Sequence, residues 1–449
     1  MKARGRRILR IGAFAVAFVA AVALVFFGWI VTGPGPMDFA GGKRVSLVSY
    51  QAGTPTGTPS EIAGSDRVAR GKYLATAGDC AACHTAPGGQ LNAGGLAFNL
   101  PFGTIYTPNI TPDVETGIGS WTDADFLKAV HEGIAKDGSH LYPAFPYVEL
   151  TYLSDEDVLA IKAYLFSLPP VHNVIPATSL HFPFNQRWLM GIWSLFFNPN
   201  TRFQPNVDRS PEWNRGAYLV EGLTHCGECH TPRNLMQALD NRHKFSGAVA
   251  AGWKAYDITG SSRGIADWTD DELAHYISSG HAVGHGTAAG PMGEAVERSF
   301  QYLTQSDVRA IVAYLRSVPG ASSATPVAHS AAVAAINSTP EVGSLGGQIY
   351  AGACASCHGW GGTGTLTPYA TLTGARSVSD PGAINVVQIV VSGARRETPG
   401  GLIFMPAFGN AYSDSEIAAV ANFVTARFGA TTSGMTATEV ANLRLQTAR

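Results

Sequence analysis

All six cysteines fall in one pattern: Cys80-Ala-Ala-Cys83-His84, Cys226-Gly-Glu-Cys229-His230 and Cys354-Ala-Ser-Cys357-His358. Two thiols three positions apart can add across the vinyl groups of a haem, and an imidazole directly after the second can bind its iron. With six Cys and 13 His in 449 residues, chance supplies on the order of 0.002 copies of C-x-x-C-H. A redox disulfide or half a zinc site would use the paired cysteines, but neither explains the histidine in every copy. The pattern predicts three covalently bound haem c groups, on Cys80 and Cys83, Cys226 and Cys229, and Cys354 and Cys357. His84, His230 and His358 are then the proximal iron ligands. With every cysteine so used, thiolate-bound iron–sulfur clusters and structural disulfides are excluded.

An electron-transfer haem takes a second axial ligand, commonly Met or His. A glycine that ends the helix after each motif supplies a ruler. Twelve residues after Gly280 stands Met292, and twelve after Gly393 stands Met405. Both are expected in short Pro-containing loops as sixth ligands, although a Met is more often a core gap-filler. Twelve residues after Gly133 stands Phe145, which cannot bind iron. The candidates there are His140 on the same loop and His131 on the preceding helix, or an iron left five-coordinate; His140 is the assignment made. An open first iron would make the chain a peroxidase or gas sensor, and a free-standing electron carrier is a third reading.

These groups must be held by repeated elements. Stretches Arg70-Gly71-Lys72-Tyr73-Leu74, Arg215-Gly216-Ala217-Tyr218-Leu219 and Gly347-Gln348-Ile349-Tyr350 read as a helix before each motif. Thr122-x-x-Asp125 and Thr269-x-x-Glu272 are capping boxes opening the middle helix of the first two copies. Ser154-x-x-Asp157, Thr304-x-x-Asp307 and Ser413-x-x-Glu416 open a last helix, with Tyr164, Tyr314 and Phe423 as packing aromatics on it. The fold expected is all-α: three consecutive small cytochrome c domains, class I-like, after an N-terminal transmembrane helix. The boundaries are an anchor at 1–34, a linker at 35–60, and domains at 61–172, 208–320 and 341–430. An aromatic linker or interfacial segment occupies 173–207, a second linker 321–340 and a C-terminal tail 431–449. The 173–207 segment reads equally as lying on lipid or another subunit, or as packing between the first two domains.

Lys2, Arg4, Arg6, Arg7 and Arg10 precede an uncharged run from Ile11 to Val31, about 30 Å long as a helix and enough to cross a bilayer. A cleaved secretory signal usually has a shorter apolar core, so a retained single anchor in the inner membrane is expected. The basic cluster stays in the cytoplasm and the haem domains enter the periplasm. A net charge of −2 offers no basic field, and nucleic acid is not expected as a partner. Three haem units, an anchor and linkers leave no domain for a nucleotide, flavin or molybdenum cofactor, so no catalytic residue is assigned. His281 and His285 read as solvated loop residues, and Arg233, Trp121 and Trp268 as candidate contacts to haem propionates.

The three motifs, Asn109-Ile110-Thr111-Pro112-Asp113, the loop Leu141 to Tyr147 and Cys229-His230-Thr231-Pro232-Arg233 resemble the triple-haem cytochrome c subunits of bacterial membrane-bound dehydrogenases. The resemblance covers nearly everything after residue 60. It implies electron transfer from a periplasmic catalytic subunit, with or without a small iron–sulfur subunit, to ubiquinone in membrane lipid. The partner in such complexes is a quinoprotein alcohol, a flavin polyol or gluconate, or a molybdenum dehydrogenase. Phe145, the preceding His140 and the anchor make the chain most similar to cytochromes of molybdenum-dependent aldehyde or N-heterocycle dehydrogenases. A molybdenum-dependent aldehyde dehydrogenase is therefore the preferred partner.

Overall fold

The computed structural model describes residues 2–31, 33, 43–45, 53–320, 343–429 and 432–447. The linker expected at 321–340 lies outside the described residues, as do 35–42 and 46–52 of the first linker. Helix α1 (Lys2–Val31) contains a span, Ala13–Val31, long and apolar enough to cross a membrane.

The first unit runs α2 (Arg67–Ala77), α3 (Cys80–His84), α4 (Asp123–Glu132), α5 (Tyr147–Leu150) and α6 (Asp155–Ser167). Helix α7 (Trp188–Phe197) follows in the aromatic segment. The second unit repeats the order with α8 (Pro211–Tyr218), α9 (Gly227–His230), α10 (Asp270–Ser279), α11 (Gly290–Arg298) and α12 (Gln305–Ser317). The third has α13 (Leu345–Ile349), α14 (Ala355–His358), α15 (Ile384–Ser392) and α16 (Asp414–Phe428). The expected tail contains α17 (Ala437–Thr447), which buries Val440 and Leu443 in the third core and fixes Arg444 to Asp414 at 2.8 Å.

In each unit the first and last helices cross at a glycine. A Cβ on Gly71 would lie 1.8 Å from the Ala160 carbonyl oxygen, and one on Gly216 1.9 Å from that of Ala310. In the third unit the role falls to Gly346, 2.2 Å from Ala419 O, one residue ahead of the stretch matched by sequence. Tyr164, Tyr314 and Phe423 cover these crossings with their Cβ atoms, which makes them packing residues as expected.

The expected capping boxes form at Thr122, Thr269 and Ser413. At Ser154 and Thr304 only the hydroxyl half forms, because the N3 carboxylate is drawn elsewhere. Asp157 binds Arg70 of its own unit and accepts from Tyr218 of the second unit at 2.6 Å. Asp307 binds Arg215 of its own unit at 2.7 Å and accepts from Tyr73 of the first unit, also at 2.7 Å. Burial explains the diversion: an aspartate removed from water needs a charged partner more than the helix end needs a second cap. These exchanged tyrosines sit in one hydrophobic core shared by the first two units; the third unit has its own.

The all-α expectation is corrected by short antiparallel strands. β1 (Lys43–Val45) pairs with β5 (Arg202–Gln204), tying part of the first linker to the end of the 173–207 segment. β2 (Ala97–Leu100), β3 (Gly103–Tyr106) and β4 (Ser179–Leu180) form a small sheet; β6 (Ala248–Ala250) and β7 (Trp253–Ala255) form a hairpin at the matching place in the second unit. Another hairpin follows the helix-ending glycine: β8 (His281–Ala282) with β9 (Gly286–Thr287), and β10 (Ala394–Thr398) with β11 (Gly401–Met405). The first unit has a single bridge there, Ile134 to His140. Strands this short carry little periodic signal, and the dominant 3.6-residue pattern hides them.

The third unit docks on the second mainly through backbone carbonyls. Arg376 donates to Asp257 O at 3.0 Å and Arg396 to Ser279 O at 2.6 Å, while Lys254 pairs with buried Asp380 at 2.7 Å.

Candidate haem centres

Each motif histidine is oriented by the same device. Nδ1 of His84 donates to Pro108 O at 2.8 Å, that of His230 to Tyr256 O at 2.6 Å, and that of His358 to Ala370 O at 2.6 Å. A carbonyl can only accept, so Nδ1 carries the proton and Nε2 keeps its lone pair. Loss of solvent around all three rings lowers their pKa values and favours the neutral form that a metal requires. Burial also raises the inward thiols, Cys80 to about 12 and Cys226 and Cys354 to about 11. These are uncharged sulfurs at neutral pH, suited to thioether bonds. The donor set fits haem c at each motif.

The third site is also a formed cavity, about 490 Å³, lined by Cys354, Cys357, His358 and Met405. These are the four residues expected there. Strand β11 carries Met405 and Ile403 on the less exposed side and leaves Leu402 and Phe404 exposed. One wall comes from the second unit, through Gly290, Gly293 and Glu297 of α11. Sequence reading missed that wall, since nothing local in α11 marks it as facing another unit.

Met292 was expected in a loop but occupies the first turn of α11, where Pro291 fits because its missing N–H is not needed. Gly290 and Gly293 line the third-unit cavity, and Met292 does not. Phe145 packs against the core shared by the first two units. His140 lies in the bridge with Ile134, its carbonyl accepting from Arg187 at 3.1 Å. Its imidazole leans on α7: a Cβ on Gly191 would meet His140 Nε2 at 2.6 Å. His131 is fully buried, with Nδ1 3.7 Å from Asp155 and a pKa pushed well below the usual range by burial.

His281 and His285 are packed, contrary to the solvated reading. His281 is buried with Nδ1 2.9 Å from the Thr287 hydroxyl, and His285 stacks on Trp268 at 3.8 Å. Arg233 pairs with Glu228 between the second pair of cysteines. Cys80 and Cys226, the first cysteines of the first two motifs, both pack against the shared core, and Cys83 and Cys229 lie near each other outside it.

A cytochrome c family model matches residues 68–169 and 344–427. The chain is 39% identical to the fructose dehydrogenase cytochrome subunit of Gluconobacter japonicus, over 87% of this chain and 85% of that one. It is 35% identical to the cytochrome c subunit of the quinone alcohol dehydrogenase of Gluconobacter oxydans, over 90% of this chain and 87% of that one. It is also 42% identical to a subunit of the nicotinate dehydrogenase of Pseudomonas putida over 84% of this chain, which spans only 31% of that protein. A covalent c-type haem protein is thereby defined. The chain belongs to the cytochrome c subunits of membrane-bound dehydrogenases.

Proposed function

We propose that the chain carries three haem c groups and passes electrons from a periplasmic dehydrogenase to ubiquinone in the inner membrane. The observation that carries this reading is the triple repetition of a motif histidine whose Nδ1 is tied to a backbone carbonyl, leaving Nε2 for iron. The axial partners are Met292 and Met405 for the second and third haems and His140 for the first. Exposed Leu402 and Phe404 beside the third site suit contact with a catalytic subunit. The span Ala13–Val31 and the exposed apolar side of α7 suit delivery at the membrane, with the basic N-terminus inside. Entry at the third unit and exit at the first two follows.

The relatives favour an alcohol, sugar or sugar-acid dehydrogenase as partner over the aldehyde-oxidising one expected from Phe145. Similarity to the nicotinate dehydrogenase protein supports an N-heterocycle-oxidising partner as the second reading. Purification from membranes tests all of this. Three haems per chain and a co-purifying dehydrogenase whose substrate reduces them are expected. Two haems, or a chain isolated without any catalytic subunit, would overturn it.

A further inference from the structure

A second cavity, about 340 Å³, opens where the end of α1, the inward side of α7, the Pro143–Pro146 loop and the segment after the second motif meet. Its walls include Ile30, Trp193, Phe145, Glu149, Glu228 and Asn241. Glu149 is 2% exposed, and its carboxyl meets no hydrogen-bonding group among the described residues other than the carboxyl of Glu228, a second acid. The Asn241 side-chain oxygen is buried without a partner among them as well. A buried polar group without a partner costs about 1–3 kcal/mol, and a second acid is a poor neighbour for a buried carboxyl, so packing alone does not account for Glu149, Glu228 and Asn241 lining one cavity.

The internal repeat sharpens the point. Glu149 stands five residues before Ser154, the cap of α6; Ser299 stands five before Thr304, the cap of α12. Ser299 is equally buried, but its hydroxyl donates to Ala77 O of the first unit at 3.0 Å. The second unit fills this position with a satisfied neutral group, and the first with a buried acid that faces only another acid, Glu228. Around Glu149 stand Tyr147 on its own helix, and Glu228, Arg233 and Arg242 from the second unit. Burial, reinforced by the Glu228 charge, holds its pKa well above the usual carboxylate range, which keeps it protonated at neutral pH.

The cavity is also tied to the membrane element. Arg242 lies over the Trp29 ring at 4.0 Å, and Phe27 meets Phe196 of α7 edge-on at 5.3 Å. Trp188, Ile192 and Leu195 on α7 are exposed, as a helix lying on lipid requires. Phe145, at the sixth-ligand position of the first site, forms one wall, and Glu228, beside Cys229 of the second motif, forms another. A substrate here must enter from lipid, carry hydrogen-bonding oxygens and accept electrons and protons together.

We propose that this cavity seats the head group of a membrane quinone and that Glu149 donates a proton to its carbonyl oxygen. The inference rests on the reading of the chain as an electron carrier to quinone. Two electrons, each leaving one ferrous haem ferric, and two protons, one to each carbonyl oxygen, give the quinol. Glu149 supplies one proton and water the other; Glu149 is then recharged from solvent along the partly exposed Glu228–Arg233 pair.

The test uses the full haem-loaded chain with its catalytic subunit in detergent, comparing it with Glu149→Gln. Reduction of the haems by the dehydrogenase substrate should be unchanged, while reduction of a short-chain ubiquinone analogue falls by at least about tenfold. The unaltered rate should decline as pH rises through the raised pKa of Glu149; the variant should be slow and flat. An azido-ubiquinone should label peptides holding residues 143–149 and 234–242 in both proteins. Stability gives a readout independent of turnover. A carboxyl with a raised folded pKa contributes stability at low pH that is lost as pH rises, so Glu149→Gln should gain melting temperature over the parent in alkali and not in acid. Labelling elsewhere, with unchanged turnover in the variant, would overturn the site while leaving the carrier reading intact. Haems that the substrate reduces but that reduce no quinone, with no labelling anywhere, would remove both.

Discussion

In the first two units, the aspartates at the start of the last helix, Asp157 and Asp307, are each shared between an arginine of their own unit and a tyrosine of the other. In the third, Glu416 at the same place returns to Ser413 and closes an ordinary capping box. Leu345 and Gln348 stand there beside Gly346, where the earlier units have arginine and tyrosine around Gly71 and Gly216. The same helix pair can therefore serve as an interface or stand alone, and three side chains decide which. The first two units form one core with a common fate, and the third is an attached module.

Asp307→Ala should have the largest effect on that contrast. It leaves the buried Arg215 guanidinium without its partner and frees Tyr73, at a cost of about 3–5 kcal/mol. Thermal melts followed at each haem should show the first and second units falling together and the third unmoved. Independent transitions for the first two would break the comparison. Axial ligation comes next. Met292→Ala and Met405→Ala should each remove one share of the near-infrared sulfur-to-iron band and lower one haem potential. His140→Ala should leave that band intact and open the first iron to carbon monoxide. Carbon monoxide bound by the unaltered chain would mean that His140, leaning on Gly191, does not reach the iron.

A smaller effect is expected from Glu416→Ala, which leaves the Ser413 cap, removes only the returning half of the capping box and should cost about 1 kcal/mol or less, confined to the third unit. Smallest is Lys254→Ala. Its ammonium is partly exposed, and buried Asp380 still accepts from Gly382 N at 3.1 Å and from the Tyr256 hydroxyl at 3.5 Å, so the loss should be roughly 1 kcal/mol or less. Faster proteolytic release of the third unit would register it, with both melting transitions unchanged.

Much of this was legible in the sequence where the signal is local. The haem motifs, the helix-ending glycines Gly133 and Gly280 in the left-handed conformation, and the boxes at Thr122 and Thr269 follow from residues within a few positions of one another. What failed depends on distance. Ser154-x-x-Asp157 looks the same as Ser413-x-x-Glu416 until Tyr218 arrives from 61 residues away. Nothing in the sequence singles out Glu149, because its burial is produced by α7 and the second unit. The placement of Met292 in a helix turned on Pro291, which favours loops and helix starts alike.

The exchange of Tyr73 and Tyr218 is an isologous contact within one polypeptide: each unit offers the same patch and receives the same patch. Such two-fold pairing is closed, because each partner consumes the surface through which another copy could join. A tandem array built on it stops at two. A third copy must meet the pair through a heterologous face, here β7, α10 and α11 of the second unit, and once freed of the pairing it can lose the arginine and tyrosine that made it. The uneven architecture of three similar units is thus what point symmetry permits when an even interface meets an odd number.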